Sequence, residues 1–142
     1  MNPGPRAFLQ QAGGSAAAEF ALLVPVFALL VLGIFNFCAL VYASSSLHWA
    51  VEQAARCAAV SHMNTGLGCG TTISSTQSYA SSIYQGPRIS PTFTAATDSS
   101  NSCRRVSGSG TFRIQTGVVN VSVPLTATAC FPADTSVSWA AS

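Results

Sequence analysis

The chain has 142 residues, of which 7% are charged and 49% hydrophobic. An average soluble domain carries roughly a quarter charged residues, so an ordinary charge-coated soluble protein is excluded. A net charge of +2 excludes a highly charged disordered chain, and six cations, all arginine, are too few for an electrostatic nucleic-acid binder.

The N-terminal stretch Gln11–Phe20 reads QAGGSAAAEF. A secretory signal peptide places its cleavage site after the apolar run. Here Gly13 and Gly14 precede the run, and Glu19 stands at its mouth. This is the layout of a prepilin junction: a cut after Gly14 leaves Ser15 as the new N-terminus and Glu19 as the fifth residue. A carboxylate at the edge of a membrane helix is costly unless paired. The new amino terminus of a neighbouring subunit is a natural partner, and the small residues Ser15–Ala18 allow close approach. The alternative is a solvated Glu19 flanking a plain, uncleaved signal anchor.

Phe20–Ala43, FALLVPVFALLVLGIFNFCALVYA, is 24 residues without a charge. As a helix it spans roughly 36 Å, enough to cross a bilayer core of about 30 Å with some tilt. Arg6 and the initial amine precede it with no acid before Glu19, so the positive-inside rule puts this end in the cytoplasm and the rest outside. Pro25 bends or loosens the helix locally. Asn36, in mid-membrane, either bonds a partner helix for about 1 kcal/mol or caps a local backbone group.

Helical spacing continues through residues 44–62. Leu47, Val51, Ala54, Ala55 and Ala58 form one stripe, with Ser45, His48, Glu52 and Arg56 opposite. Glu52 and Arg56 stand as an i,i+4 pair in the favourable order. Tyr42 and Trp49 share a face near the membrane boundary, where aromatic anchors collect. Asn64, Gly66, Gly68 and Gly70 end the helix. Beyond Cys69 the chain turns rich in Ser, Thr and Gly. Ile73, Gln77, Ala80 and Ile83/Tyr84 allow a second helix closed by Gly86-Pro87, Thr92–Ala96 a short strand, and Asp98–Ser102 a polar turn. Val106, Phe112 and Ile114 alternate with Arg105, Ser107, Ser109, Thr111 and Arg113. Val119–Phe131 alternates in the same way, which predicts a β-hairpin turning near Thr116-Gly117.

Of five Cys, Cys38 lies inside the apolar segment; Cys57, Cys69, Cys103 and Cys130 lie beyond it. An even set in an oxidising compartment points to two disulfides, with three possible connectivities. A hairpin centred on Thr116-Gly117 sets Phe112 beside Val121, Ile114 beside Val119, Val106 beside Ala127, and Cys103 opposite Cys130. Cys57 and Cys69 then form the second bridge. A register slipped by two keeps the faces and shifts the pairs. No C-x₂-C spacing favours zinc, so no metal site is expected. His48 and His62 are too far apart in sequence to suggest ligation, and Asp98 and Asp134 stand alone. No hydrolase, metalloprotease or P-loop motif is present, so neither catalysis, a cofactor nor a small-molecule substrate is expected.

Gly14 followed by SAAAEFALLVPVFALLVLGIFNF, then VEQAARCAAV, resembles the TadE-like minor pilins (pseudopilins) of tight-adherence, Flp-type pilus systems. The resemblance is specific over about Gly14–Val60 and extends loosely to Ala129-Cys130-Phe131-Pro132; TadF-like proteins begin similarly. It implies cleavage after Gly14 by an aspartyl prepilin peptidase, with Gly14 and Ser15 flanking the cut and Glu19-Phe20 as the recognition pair. It also implies a pilin-like protein of the inner membrane that supports pilus biogenesis, adhesion and biofilm formation. The four outer Cys go beyond the family's core pattern.

The expected fold is α+β and membrane-anchored. It comprises a leader (1–14), a junction (15–19), a transmembrane helix (20–43), an amphipathic extension (44–62) and a small disulfide-stapled domain with a C-terminal hairpin (63–142). Expected partners are the prepilin peptidase, other pilin-like subunits, the assembly platform and membrane lipid, with Glu19 and Asn36 as helix contacts. The competing expectations are an uncleaved signal-anchored periplasmic binding protein and a small envelope enzyme, for which titratable residues are too few.

Overall fold

The computed structural model describes residues 6–61, 69, 72–115 and 120–133, with side chains from Ala17 onward. The elements run α1 (Arg6–Val60), α2 (Ile73–Ile83), β1 (Thr92–Asp98), β2 (Cys103–Gln115) and β3 (Asn120–Pro132). The three strands form one antiparallel sheet in the order β1-β2-β3. The chain divides into two compact units, 1–38 and 39–142. The class is α+β, as the sequence predicts.

The first unit is the N-terminal part of α1. Its apolar side chains are exposed: Phe20, Leu22, Phe27, Phe35 and Phe37 all show more than half of their surface. A contiguous apolar surface of this extent is not left in water by soluble monomers. Within the described residues, α1 is the one helix long and apolar enough to cross a membrane, with a mean hydropathy of 2.5 in its most apolar stretch. Pro25 lies inside it and the helix continues. The proline ring supplies no N–H to the carbonyl of Ala21, a loss that membrane helices tolerate.

The second unit is built on the remainder of α1. Ala43, Leu47, Ala50, Val51, Ala54, Ala55 and Ala58 are all buried, while Ser45, His48, Glu52 and Arg56 are exposed. The predicted stripe is therefore the core face. It packs with Ala80 of α2 and with Phe93, Ala95, Val106 and Ala127 of the sheet. Five of the seven buried residues on this face are alanine. Gly108 of β2 marks the tightest point. A Cβ there would stand 2.9 Å from Leu47 Cδ1, 2.9 Å from Phe93 Cε1 and 3.0 Å from Val51 Cγ2.

Helix α2 starts at a capping box. Thr72 Oγ1 accepts from the Ser75 amide at 3.2 Å, and Ser75 Oγ accepts from the Thr72 amide at 3.2 Å. It buries Thr76 and Ala80 and ends at Tyr84, whose ring meets Phe93 edge-on at 6.4 Å. Gly86 follows because any side chain there would collide with the Tyr84 ring and hydroxyl.

The hairpin register differs from the expected one. Phe112 pairs with Val123, Ile114 with Val121 and Val106 with Ala129, each two residues further along β3. A slip of two leaves every side chain on its face, so alternation cannot detect it. Pairing instead stops at Gln115↔Asn120, which leaves four residues between the strands where a turn centred on Thr116-Gly117 implied two. The predicted turn and Val119 lie outside the described residues. Strand β1 is longer than predicted and takes in Thr97 and Asp98. The expected Glu52–Arg56 pair is not formed. Among the described residues the salt bridge is Arg105–Asp98, and Arg56 instead lies 5.1 Å from the centre of the Phe131 ring. An exposed helix pair contributes only a few tenths of a kcal/mol, so a cation–π contact of about 0.5–1 kcal/mol competes with it readily.

Gly108→Val should destabilise the folded domain by about 1–3 kcal/mol through overpacking against Leu47, Phe93 and Val51. Denaturant unfolding followed by near-ultraviolet circular dichroism reads this directly; an unchanged midpoint would contradict the close contact.

Candidate functional site: junction, apolar helix and disulfides

Gly14 and Ser15 are residues of α1, which runs from Arg6 through the junction. Glu19 and Phe20 follow one turn later, and both are exposed. Glu19 makes no salt bridge among the described residues, where the pair is Arg105–Asp98. The junction therefore presents a carboxylate and an aromatic ring side by side at the mouth of an exposed apolar helix. Further along, Asn36 Nδ2 donates to the Leu32 carbonyl at 2.8 Å. Of the two roles weighed for Asn36, the local backbone bond is present within the chain. Cys38 is a free, exposed thiol.

The disulfides join Cys57 to Cys69 and Cys103 to Cys130, with Cα–Cα distances of 5.9 and 5.6 Å. The pairs are the expected ones, but the geometry of the second is not. Cys103 faces Pro132, and Cys130 faces Arg105, so the bridge runs diagonally across the outer face of the β2–β3 ladder. The first bridge ties the last turn of α1 to the segment leading into α2. Both sulfurs near Asp98 are committed: Asp98, Cys103 and Cys130 lie within 4.8 Å of one another, but a disulfide offers no thiolate for a metal.

Asp98 closes the β1–β2 turn. Its carboxylate accepts from the Asn101 side chain at 2.8 Å and the Ser100 amide at 3.1 Å, and it pairs with Arg105. The Asn101 hydrogen bond, assisted by Arg105 and the turn amides, holds its pKa below the ordinary value against a desolvation penalty.

Arg104 is the residue that sequence reasoning missed. It is fully buried, and its Nη1 donates to Thr97 Oγ1 at 2.7 Å. Burial lowers the pKa of its guanidinium from the ordinary value. The signal was available in the alternation: position 104 shares parity with Val106 and Phe112, so an arginine there points into the core.

Removing the Cys103–Cys130 bridge as the double alanine variant should lower stability by about 3–4 kcal/mol, the loop-closure value for a separation of 27 residues. Urea midpoints of the two proteins check it. A second expectation concerns acid. The Asp98 pKa is lowered on folding, so its contribution is complete above the unfolded value of about 3.9 and is lost as pH falls through the lower folded value. Asp98→Asn should flatten the fall in thermal midpoint below about pH 4; an unchanged acid limb would remove the carboxylate from that role.

Residues 14–56 match the family model described as TadE-like protein. No curated protein and no solved structure matches the chain. The matched stretch begins at Gly14 of the junction, includes the whole apolar run and stops at Arg56, one residue before the first disulfide. The junction, the apolar run and most of the amphipathic stretch are thus similar to a TadE-like protein.

Proposed function

We propose that this protein is a minor pilin, or pseudopilin, that supports assembly of a Flp-type pilus and thereby surface adhesion and biofilm formation. The carrying observation is the junction: Gly14, four small residues, then exposed Glu19 and Phe20 at the mouth of an exposed apolar helix, all within the TadE-like match.

In this reading a prepilin peptidase cuts between Gly14 and Ser15. The chain stays in the inner membrane with its N-terminal end cytoplasmic and residues 44–142 outside. Arg6, with no acid before Glu19, supports that orientation. Glu19 pairs with the amine of Ser15 on a neighbouring pilin-like subunit. That pairing offsets the cost of a carboxylate at the hydrocarbon boundary and makes association register-specific. The two disulfides fit an oxidising compartment for the folded domain. The protein's work is assembly with other subunits and the platform, and it needs neither cofactor nor substrate. The second reading, an uncleaved signal-anchored binding protein, keeps the leader and does not depend on Glu19.

Intact mass of the protein from native membranes should show a chain beginning at Ser15. Gly14→Leu should leave the full-length form, and normal processing of that variant would overturn the peptidase assignment. Glu19→Ala should fail to support surface pili counted by electron microscopy. Full piliation with Glu19→Ala would remove the pairing role.

A further inference from the structure

A shallow groove of about 330 Å³ lies between α1 and the end of α2, lined by Tyr42, Ser45, Ser46, Trp49, Ile83 and Gln85. Two observations make it more than a surface dent. The Gln85 amide donates to Ser46 Oγ at 3.0 Å across 39 residues of sequence, so the exit of α2 is pinned beside α1. Tyr42 and Trp49, the two aromatic walls, are each more than half exposed, although the neighbouring Ala43, Leu47 and Ala50 are buried.

The position of the groove along α1 identifies its occupant. Tyr42 is the penultimate residue of the apolar run that ends at Ala43. Trp49 follows Ala43 by six residues, about 9 Å of helix. Helical side chains lean toward the N-terminus, so the indole lies over the preceding turn and closer to the apolar run. The headgroup layer is roughly 5–7 Å thick on each side of the hydrocarbon. The two rings therefore bracket that layer, the level at which Trp and Tyr collect. All six lining side chains are neutral. Hydroxyls and an amide suit the glycerol and ester oxygens of a lipid, and the rings and Ile83 suit the first acyl carbons.

We propose that this groove is a phospholipid-binding groove that seats the folded domain on the bilayer surface, with the exit of α2 in contact with the headgroup layer. The inference rests on α1 spanning the bilayer. Because the groove is uncharged, it takes zwitterionic and anionic lipids alike. The domain is then held down by two elements, the helix that enters the membrane and the α2 exit that rests on it.

The test uses full-length protein in phosphatidylcholine vesicles. Cys38, the free thiol, carries a fluorophore as the insertion control. Trp49 is read in a Trp139→Phe background. Residue 85 is read as labelled Gln85→Cys in a Cys38→Ala background. Acyl-chain bromines should quench the Cys38 label. A headgroup nitroxide should remove most emission from Trp49 and from the label at 85, but not from a label at Ser109→Cys on the outer sheet face. The same quenching should appear in phosphatidylglycerol vesicles and persist in high salt. An unquenched Cys38 label would overturn the membrane span itself. A quenched Cys38 label with an unquenched label at 85 would overturn the groove alone. Quenching at 85 confined to anionic vesicles would assign the seating to charge instead and overturn the groove as well.

Discussion

The close approach of α1 to the sheet at Gly108 is the contact on which the folded domain depends. With Leu47, Val51 and Phe93 converging on one missing side chain, side chains of the helix reach the strand at a point where no Cβ fits. That contact sits in a face otherwise filled by alanine, with Ala43, Ala50, Ala54, Ala55 and Ala58 buried. It explains the position of Phe93, which faces Gly108 across the β1–β2 ladder and turns its ring into the space the glycine leaves. Alanine contributes little transfer energy per residue, so the core is narrow. Disulfides at the end of α1 and across the β2–β3 ladder supply restraint that so small a core cannot supply alone.

The scarcity of charge shapes the remaining elements. Helix α2, ISSTQSYASSI, is poor in strong helix formers. Its start is held by the Thr72–Ser75 capping box, while Thr76 Oγ1 and Ser82 Oγ are satisfied on the Thr72 and Tyr79 carbonyls. Burial of Thr76 and Ala80 against the domain does the rest. Four of the ten charged residues organise structure. Asp98 and Arg105 close a turn, buried Arg104 bonds its ladder neighbour Thr97, and Arg56 covers the Phe131 ring.

Helix α1 obeys different solvation rules along its length. In the first unit its polar backbone is satisfied internally and its apolar side chains face outward, as lipid requires. Asn36 bonds the Leu32 carbonyl of its own helix, which lowers the cost of an amide at that depth. In the second unit the same helix is amphipathic and gives its apolar face to the sheet. The TadE-like match covers most of both stretches, from Gly14 to Arg56, whereas the disulfide-bonded sheet lies beyond it.

Local pattern by itself determined much of this protein. Twenty-four uncharged residues after Glu19 define the apolar span, because length and hydropathy are properties of the run. The spacing of Leu47, Val51, Ala54, Ala55 and Ala58 defines the buried stripe, because helical periodicity maps directly to a face. Alternation in residues 106–114 and 119–131 separates the core face from the hydroxyl face, because strands have a period of two. Tertiary structure decided what those periods leave degenerate. A slip of two residues preserves every face, so only the folded pairing sets Phe112 against Val123 and makes Cys103–Cys130 a diagonal bridge. Buried Arg104 finds a hydrogen-bond acceptor in Thr97, which strand pairing sets opposite it. Arg56 leaves Glu52 for Phe131 because β3 packs beside α1. The pinning of Gln85 to Ser46 joins residues 39 apart in sequence, and no local pattern encodes a contact whose partners meet only after the chain has folded.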